Sequence, residues 1–224
     1  MLCGMSDWDL FLEQHKLFGK PGDAVVAGEA SSWVRGPLPE FPELSALLAS
    51  ATVTPVSVAG RRYELLAWGS SEARRGWLCD PPLRQAGAPG FLARLWTVFG
   101  GIVEHFGDQS EMTLNLYEVL TVAATKESLV DVLPHYGWAW ENEGLPVPVE
   151  EMRPYVTVAI EGNGNLTAAH RETGRLVWFA PDHGSDGVTP LPGCPEYSLY
   201  TFDGLPDVWS WVESVARGWQ AARS

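Results

Sequence analysis

Cysteine is scarce in this sequence of 224 residues, and its spacing excludes the structures that cysteine usually builds. Cys3, Cys79 and Cys194 are odd in number and far apart, and no C-x-x-C pair occurs. A disulfide framework needs paired cysteines, and a zinc ribbon needs C-x-x-C ligand pairs. We therefore expect a reduced compartment and neither kind of cross-link.

Long apolar runs are missing too. No segment approaches the roughly 18 uninterrupted apolar residues of a membrane span, and residues 1–16 have no basic region followed by an apolar run. We expect a cytoplasmic protein with no membrane partner. Basic stripes interleaved with aromatic residues are also absent, which disfavours nucleic acid as a partner.

Motifs for cofactors and nucleophiles are not found either. The glycine groups GNGN and FGG lack the strand-to-helix context of G-x-G-x-x-G, and neither G-K-[ST] nor a G-x-S-x-G elbow occurs. No cysteine has a nearby histidine that could activate its thiol. We expect no catalytic residue, no cofactor and no metal.

Acidic side chains, in contrast, are abundant and unevenly placed. Residues 1–100 carry 10 acidic and 9 basic side chains, whereas residues 101–224 carry 18 acidic and 6 basic ones. Nearly all of the net charge of −13 therefore belongs to the second half. Such a field repels nucleic acid and speeds association with a basic partner, although acidity also serves solubility alone. The candidate partner-binding residues cluster around the expected strands of this half: Glu141, Glu143, Glu150, Glu151 and Glu161.

Apolar periodicity and turn residues predict an α+β fold, with a mostly antiparallel sheet flanked by helices. Ser6 and Asp9 form a capping-box pattern, a second helix begins near Pro42, and a hairpin turns at Ala59-Gly60. The stretch 70–90 is rich in Gly, Pro and Arg and is interpreted as a linker. We place a boundary there, between an N-terminal region, 1–88, and an α+β domain, 89–224.

The second region is predicted to hold helices and a three-stranded meander. A helix covers about 91–103 and is weakened or broken at Gly100-Gly101. A strand follows over 112–123. Another helix begins after Thr125 and stops near Pro134. Alternation over 156–179, with turns at 162–165 and 173–174, predicts the antiparallel meander. An amphipathic helix over about 205–219 completes the pattern.

Histidines next to carboxylates are the candidates for chemistry. In a hairpin around Thr173, paired residue numbers sum to about 346 or 347, so His170 lies near Val177 and about 20 Å from His183. Two imidazoles at that distance cannot bind one metal ion, because each ligand nitrogen must lie about 2 Å from the metal. Asp182 and His183 remain a local pair that is more simply explained as solvent-facing loop residues. Glu104, His105 and Asp108 fall within about one helical turn, but no third ligand can be named.

The order of elements in the second region resembles the SUKH superfamily, which includes bacterial toxin-immunity proteins and fungal regulators of cell-wall glucan synthesis. The resemblance covers about 89–219 and begins with a helix that runs into FGGIVEHFG. The meander that follows has a Gly/Asn turn at 162–165, a TG turn at 173–174 and an end at Asp182-His183. An aromatic helix comes after it. Residues 1–88 resemble no family that we can name.

This resemblance implies a non-catalytic α+β module that binds a partner protein through its curved sheet and loops. Members encoded beside toxin genes neutralise toxins, many of them basic, and the acidic second half is compatible with a basic toxin domain as partner. Two alternatives stay open: a small hydrolase that uses a His/carboxylate pair, and a regulatory module with no toxin partner.

Overall fold

The computed structural model of the protein describes residues 5–15, 25–107 and 116–221. Contacts within the chain divide it into two compact units. The first unit comprises Met1–Arg84, Arg94–Leu114 and Glu213–Ser224, and the second comprises Gln85–Ala93 and Asn115–Val212. The boundary predicted between residues 88 and 89 falls inside Gln85–Ala93, and two segments of the predicted C-terminal domain belong to the first unit.

The described residues form seven helices and two antiparallel sheets of six strands each, which confirms the predicted α+β class. The helices are α1 (Asp7–Gln14), α2 (Pro42–Ala49), α3 (Gly90–Leu95), α4 (Leu129–Val132), α5 (Trp138–Glu143), α6 (Val149–Met152) and α7 (Val208–Ala221). The strands are β1 (Val25–Ala27), β2 (Ser31–Ser32), β3 (Thr52–Val58), β4 (Arg61–Trp68), β5 (Arg75–Cys79), β6 (Ile102–Phe106), β7 (Leu116–Tyr117), β8 (Tyr155–Glu161), β9 (Leu166–His170), β10 (Leu176–Phe179), β11 (Val188–Pro190) and β12 (Leu199–Phe202).

The first unit contains one sheet in the order β1-β3-β4-β5-β6, with β2 also paired to β3. Helix α1 begins with the predicted capping box, in which Ser6 Oγ accepts from the Asp9 amide and Asp9 Oδ2 accepts from the Ser6 amide. The hairpin between β3 and β4 is also confirmed, because Ala59 and Gly60 both adopt positive φ, as a tight hairpin turn requires.

The linker predicted over 70–90 is wrong in its first half, which contains the buried strand β5. Gly76 is needed in this strand because a Cβ atom there would collide with the carbonyl oxygen of Leu66 on β4. Trp77 lies in the unit's core with Trp68 and Trp219, with ring centroids 4.9 and 5.7 Å away. The sequence was misleading because a glycine that permits close strand packing looks like a linker glycine.

The helix predicted over 91–103 ends early, at Leu95. The helix has therefore ended before Gly100-Gly101, where the glycines serve a close backbone contact: Gly101 has φ of 96°, and a Cβ on Gly100 would lie 2.5 Å from the carbonyl oxygen of Pro81. The chain then enters β6, so Glu104 and His105 are strand neighbours and not members of one helical turn. Asp108 lies outside the described residues.

The second unit contains the other sheet, in the order β11-β12-β10-β9-β8-β7. Strands β8, β9 and β10 form the predicted antiparallel meander, with a turn at 162–165 in which Gly164 has φ of 93°. The second turn is centred slightly earlier in the sequence than expected: Ala168 pairs with Val177, so paired numbers sum to 345 and not to 346 or 347. Of the strand predicted over 112–123, residues 116–117 form β7, and 112–115 lie outside the described residues.

Helices α4, α5 and α6 cover one face of the second unit's sheet. Their buried residues pack with strand residues in one core cluster: Leu129, Leu133, Ala139, Trp140, Met152, Leu166, Ala168, Val177, Phe179 and Leu199. The helix predicted to stop near Pro134 does so: α4 ends at Val132, and Pro134 lies in the first turn of the following 3₁₀ segment, Leu133–Tyr136, where its missing N–H costs nothing. Helix α5 follows almost directly and presents Trp138 to solvent.

Candidate protein-binding cleft

Two of the histidine candidates have structural explanations. The Nδ1 atom of His170 accepts from the backbone amides of Glu172 and Thr173, both at 3.3 Å, and so caps the turn after β9. In the first unit, the carboxylate of Glu104 lies 3.5 Å from Nδ1 of His105 and 3.7 Å from Nδ1 of His15. His15 is a neighbour that sequence spacing could not identify, because it is 89 positions away from Glu104.

Asp182 and His183 do form the local pair that their adjacency suggested. His183 Nδ1 lies 2.8 Å from Asp182 Oδ1, and Asn163 Nδ2 donates to Asp182 Oδ2 at 3.0 Å. Burial acts to raise the pKa of Asp182, but its hydrogen bond and attraction to His183 outweigh burial and lower that pKa. Within the described residues, no serine, threonine or cysteine side chain hydrogen bonds to His183.

An open cleft in the second unit is lined by two exposed aromatic residues of this unit, Trp138 and Tyr197. Its volume is about 420 Å³, within the range of roughly 300–1,000 Å³ for small-ligand pockets. We call it the aromatic cleft, and it is lined by Trp138, Ala139, Asn142, Glu143, Pro181, Asp182, Pro195, Glu196 and Tyr197. The lining therefore combines apolar surface with three carboxylates, and includes no Lys or Arg.

Helix α5 supplies the first aromatic wall. Trp138 opens the helix and is 56% exposed, whereas Ala139 and Trp140 turn into the core, and Trp140 is fully buried. Gly144 ends the helix in the left-handed conformation, with φ of 67°. The buried Trp140 anchors the helix, so the exposed Trp138 and Glu143 are carried on a fixed element.

The loop 195–198 supplies the second wall, and its backbone is strained. Tyr197 is 51% exposed and has φ of 59°, a conformation that costs an L-residue about 1–2 kcal/mol. Two hydrogen bonds hold the loop. The hydroxyl of buried Tyr200 accepts from the Tyr197 amide at 2.7 Å, and the backbone carbonyl of Ser198 accepts from the Ala180 amide at 2.9 Å. Strain maintained at an exposed aromatic residue is typical of binding sites.

Glu161, one of the five candidate glutamates, is half-buried and does not line this cleft. Trp178 Nε1 donates to its Oε1 at 2.6 Å and Asn165 Nδ2 to its Oε2 at 3.1 Å. Burial raises the pKa of Glu161, and the two hydrogen bonds only partly oppose it. Because both carboxylate oxygens are engaged, we leave Glu161 out of the proposed contact surface.

The other four candidates are exposed on two helices. Glu141 and Glu143 lie on α5, and Glu143 lines the aromatic cleft. Glu150 and Glu151 lie in the first turn of α6. The two carboxylate oxygens of Glu150 form a bidentate ion pair with the guanidinium nitrogens of Arg153, at 2.5 and 2.7 Å. A common binding face for these residues stays a prediction.

Trp138 and Tyr197 were not among the residues that the sequence singled out. The composition, with eleven tryptophans, indicates that some are exposed, but it does not say which. A positive φ at Tyr197 has no local sequence signal, because Gly or Asn would be the residues expected there.

Some further classes of site are tested by the described residues. Among residues 5–15, 25–107 and 116–221, no three His, Cys, Asp or Glu side chains lie together as a metal ion would require. In the same ranges, no helix has the length and apolar content to cross a bilayer. Comparison with protein-family models, with curated proteins and with solved structures finds no match for this chain.

Proposed function

We propose that this protein is a non-catalytic binding module whose partner is a basic protein, and that the aromatic cleft is its contact site. The observation that carries the proposal is Tyr197: an exposed tyrosine, kept at positive φ by a buried hydroxyl, beside Trp138 and three carboxylates. Tyrosine and tryptophan dominate the energetics of many protein interfaces because they bury a large area with few rotatable bonds.

The SUKH resemblance gives this module a specific form, an immunity protein that neutralises a toxin in the cytoplasm. A basic toxin domain fits the charge of the second half and the all-acidic charge of the cleft lining. A regulatory module with a basic partner other than a toxin uses the same chemistry, and the experiment below separates the two.

The test uses a basic toxin domain from a gene beside this one, and a gene neighbourhood that encodes no toxin would remove the immunity form. Co-expression with the wild-type chain should rescue growth, and calorimetry should give an affinity that falls by more than tenfold in Trp138→Ala and Tyr197→Ala. Tyr117→Ala is the matched control, because Tyr117 is 43% exposed in the same unit but does not line the cleft. Binding that is equally insensitive to all three variants would remove the cleft from the interface, and binding without rescue would favour the regulatory form.

A small hydrolase is the second candidate, and the Asp182–His183 pair favours it. A carboxylate that fixes one imidazole nitrogen orients the other as a general base. Hydrolysis of p-nitrophenyl acetate that depends on His183, and is lost in His183→Asn, would support this candidate. Equal rates in the wild type and the variant would remove it.

A further inference from the structure

The lining of the aromatic cleft holds three carboxylates and includes no Lys or Arg. Asp182 is already hydrogen bonded to His183 and Asn163. Within the described residues, Glu143 and Glu196 form neither an ion pair nor a side-chain hydrogen bond. A positive charge that enters such a cleft gains attraction from carboxylates that have no cation of their own.

We propose that the occupant is a single arginine side chain of the partner, with its guanidinium against Trp138 and Tyr197 and paired with the carboxylates of Glu143 and Glu196. This inference rests on the proposed function, because it specifies which part of the basic partner enters the cleft. The cleft volume of about 420 Å³ has room for a long side chain together with flanking backbone.

Arginine fits this lining better than lysine for a physical reason. A guanidinium is planar and weakly hydrated, stacks on aromatic rings, and carries five donors for carboxylate oxygens. The lining offers these groups together: two exposed aromatic residues, two carboxylates without partners among the described residues, and the amide of Asn142. A lysine ammonium is a compact, strongly hydrated charge, so it loses more hydration and gains fewer hydrogen bonds on entering an apolar cleft.

The cleft is also pre-organised, which reduces the entropic cost of binding. Tyr197 is held through its backbone by Tyr200, and the segment that carries Asp182 is tied to the Tyr197 loop by the hydrogen bond from Ala180 to Ser198. The Tyr197 loop and the Asp182 segment are therefore fixed to each other before a ligand arrives, and buried Trp140 anchors the α5 wall. This arrangement favours a short, rigid contact with one side chain.

The experiment titrates the protein with three capped pentapeptides, Ala-Ala-X-Ala-Ala, in which X is arginine, lysine or citrulline. The indole N–H signal of Trp138 in ¹⁵N spectra is the readout, assigned by its loss in Trp138→Phe. We expect saturable shifts with the arginine peptide and binding about tenfold weaker with lysine and with neutral citrulline. The double variant Glu143→Gln/Glu196→Gln should lose the arginine response, whereas Glu172→Gln, at the far turn of the meander, should keep it.

Each other outcome decides a different claim. Equal binding of arginine and lysine at Trp138 overturns the guanidinium inference and leaves a basic-partner site in place. A Trp138 signal that no cationic peptide shifts, while the toxin domain still binds through Trp138 and Tyr197, also overturns the inference alone. A toxin domain that does not bind the chain at all overturns the proposed function.

Discussion

Tyr197 is held in a backbone conformation that a tyrosine adopts only at a cost. Its φ of 59° is stabilised from outside, by the hydroxyl of Tyr200, and the residue is 51% exposed. Stability alone would favour glycine at this position. We infer that the side chain is kept for contact with a partner, and this can be separated from its effect on folding.

Replacing Tyr197 by glycine and by alanine tests the strain. Tyr197→Gly should be more stable to urea than Tyr197→Ala by about 1 kcal/mol, because only glycine adopts positive φ without strain. Both variants should lose partner affinity. The reverse order is expected at Tyr117, whose backbone is extended in β7, because glycine weakens a strand. Equal stabilities for the two Tyr197 variants would show that its backbone is not strained.

Glu161 should give the protein an unusual pH response. Burial raises the pKa of Glu161 above 4.5, so the folded chain binds this proton more tightly than the unfolded chain does. The free energy of unfolding of the wild type, relative to Glu161→Gln, should therefore decrease as pH rises from about 4.5 through the folded-state pKa. Urea unfolding of both proteins between about pH 4 and pH 8 measures this difference.

Asp7 provides the opposite control. Its hydrogen bond with Arg74 lowers its pKa below 3.8, so its contribution is present above that value and is lost as pH falls through the folded-state pKa. Compared with Asp7→Asn, the free energy of unfolding of the wild type should decrease as pH falls. Compared with Glu161→Gln, it should increase as pH falls. Parallel trends in the two comparisons would contradict the assigned environments.

At the scale of elements, helix ends in the first unit depend on distant side chains. Helix α2 starts with Pro42, and Phe41 before it provides no capping side chain. Its first free amides, those of Glu43 and Leu44, instead donate to the carboxylate of Glu213 on α7, at 2.9 and 3.1 Å. A negative charge there also complements the positive end of the helix dipole.

Removal of this cap should therefore destabilise the protein measurably. Glu213→Ala is expected to lower the free energy of unfolding by about 1–2 kcal/mol, because it removes a charged acceptor from two helix amides. Glu172→Ala, at an exposed turn position, should change it by less than about 0.5 kcal/mol. Urea unfolding at neutral pH provides both values, and similar losses in the two variants would argue against capping by Glu213.

Strand β5 illustrates a second dependence between elements. Gly76→Ala should destabilise the protein by at least about 2 kcal/mol, because the added methyl group meets the Leu66 carbonyl inside the sheet. Gly87→Ala is the control for loss of a glycine alone: it has positive φ, but a Cβ there meets nothing within 4 Å. Thermal unfolding that shows Gly76→Ala no worse than Gly87→Ala would contradict the close strand packing.

For the whole molecule, the uneven charge predicts how binding depends on salt. Charge reversal of Glu150 and Glu151 to lysine should slow association with the toxin domain more than it speeds dissociation, because long-range attraction acts on the encounter. The effect should shrink at high salt, since the Debye length falls from about 10 Å at 0.1 M to about 3 Å at 1 M. Stopped-flow kinetics over this range measure both rates, and an unchanged association rate at low salt would leave the charge with a role in solubility alone.

The sequence by itself determined the features that depend on neighbouring residues. The capping box of Ser6 and Asp9, the turn at Ala59-Gly60 and the meander over 156–179 all follow from local conformational preference and apolar period. The tertiary structure decided what distant residues do to each other. It alone showed that Gly76 permits strand packing, that Glu213 caps α2, and that Tyr200 holds Tyr197 in a strained position beside Trp138. A linear pattern carries no signal for such contacts, because their stability comes from groups brought together only when the chain folds.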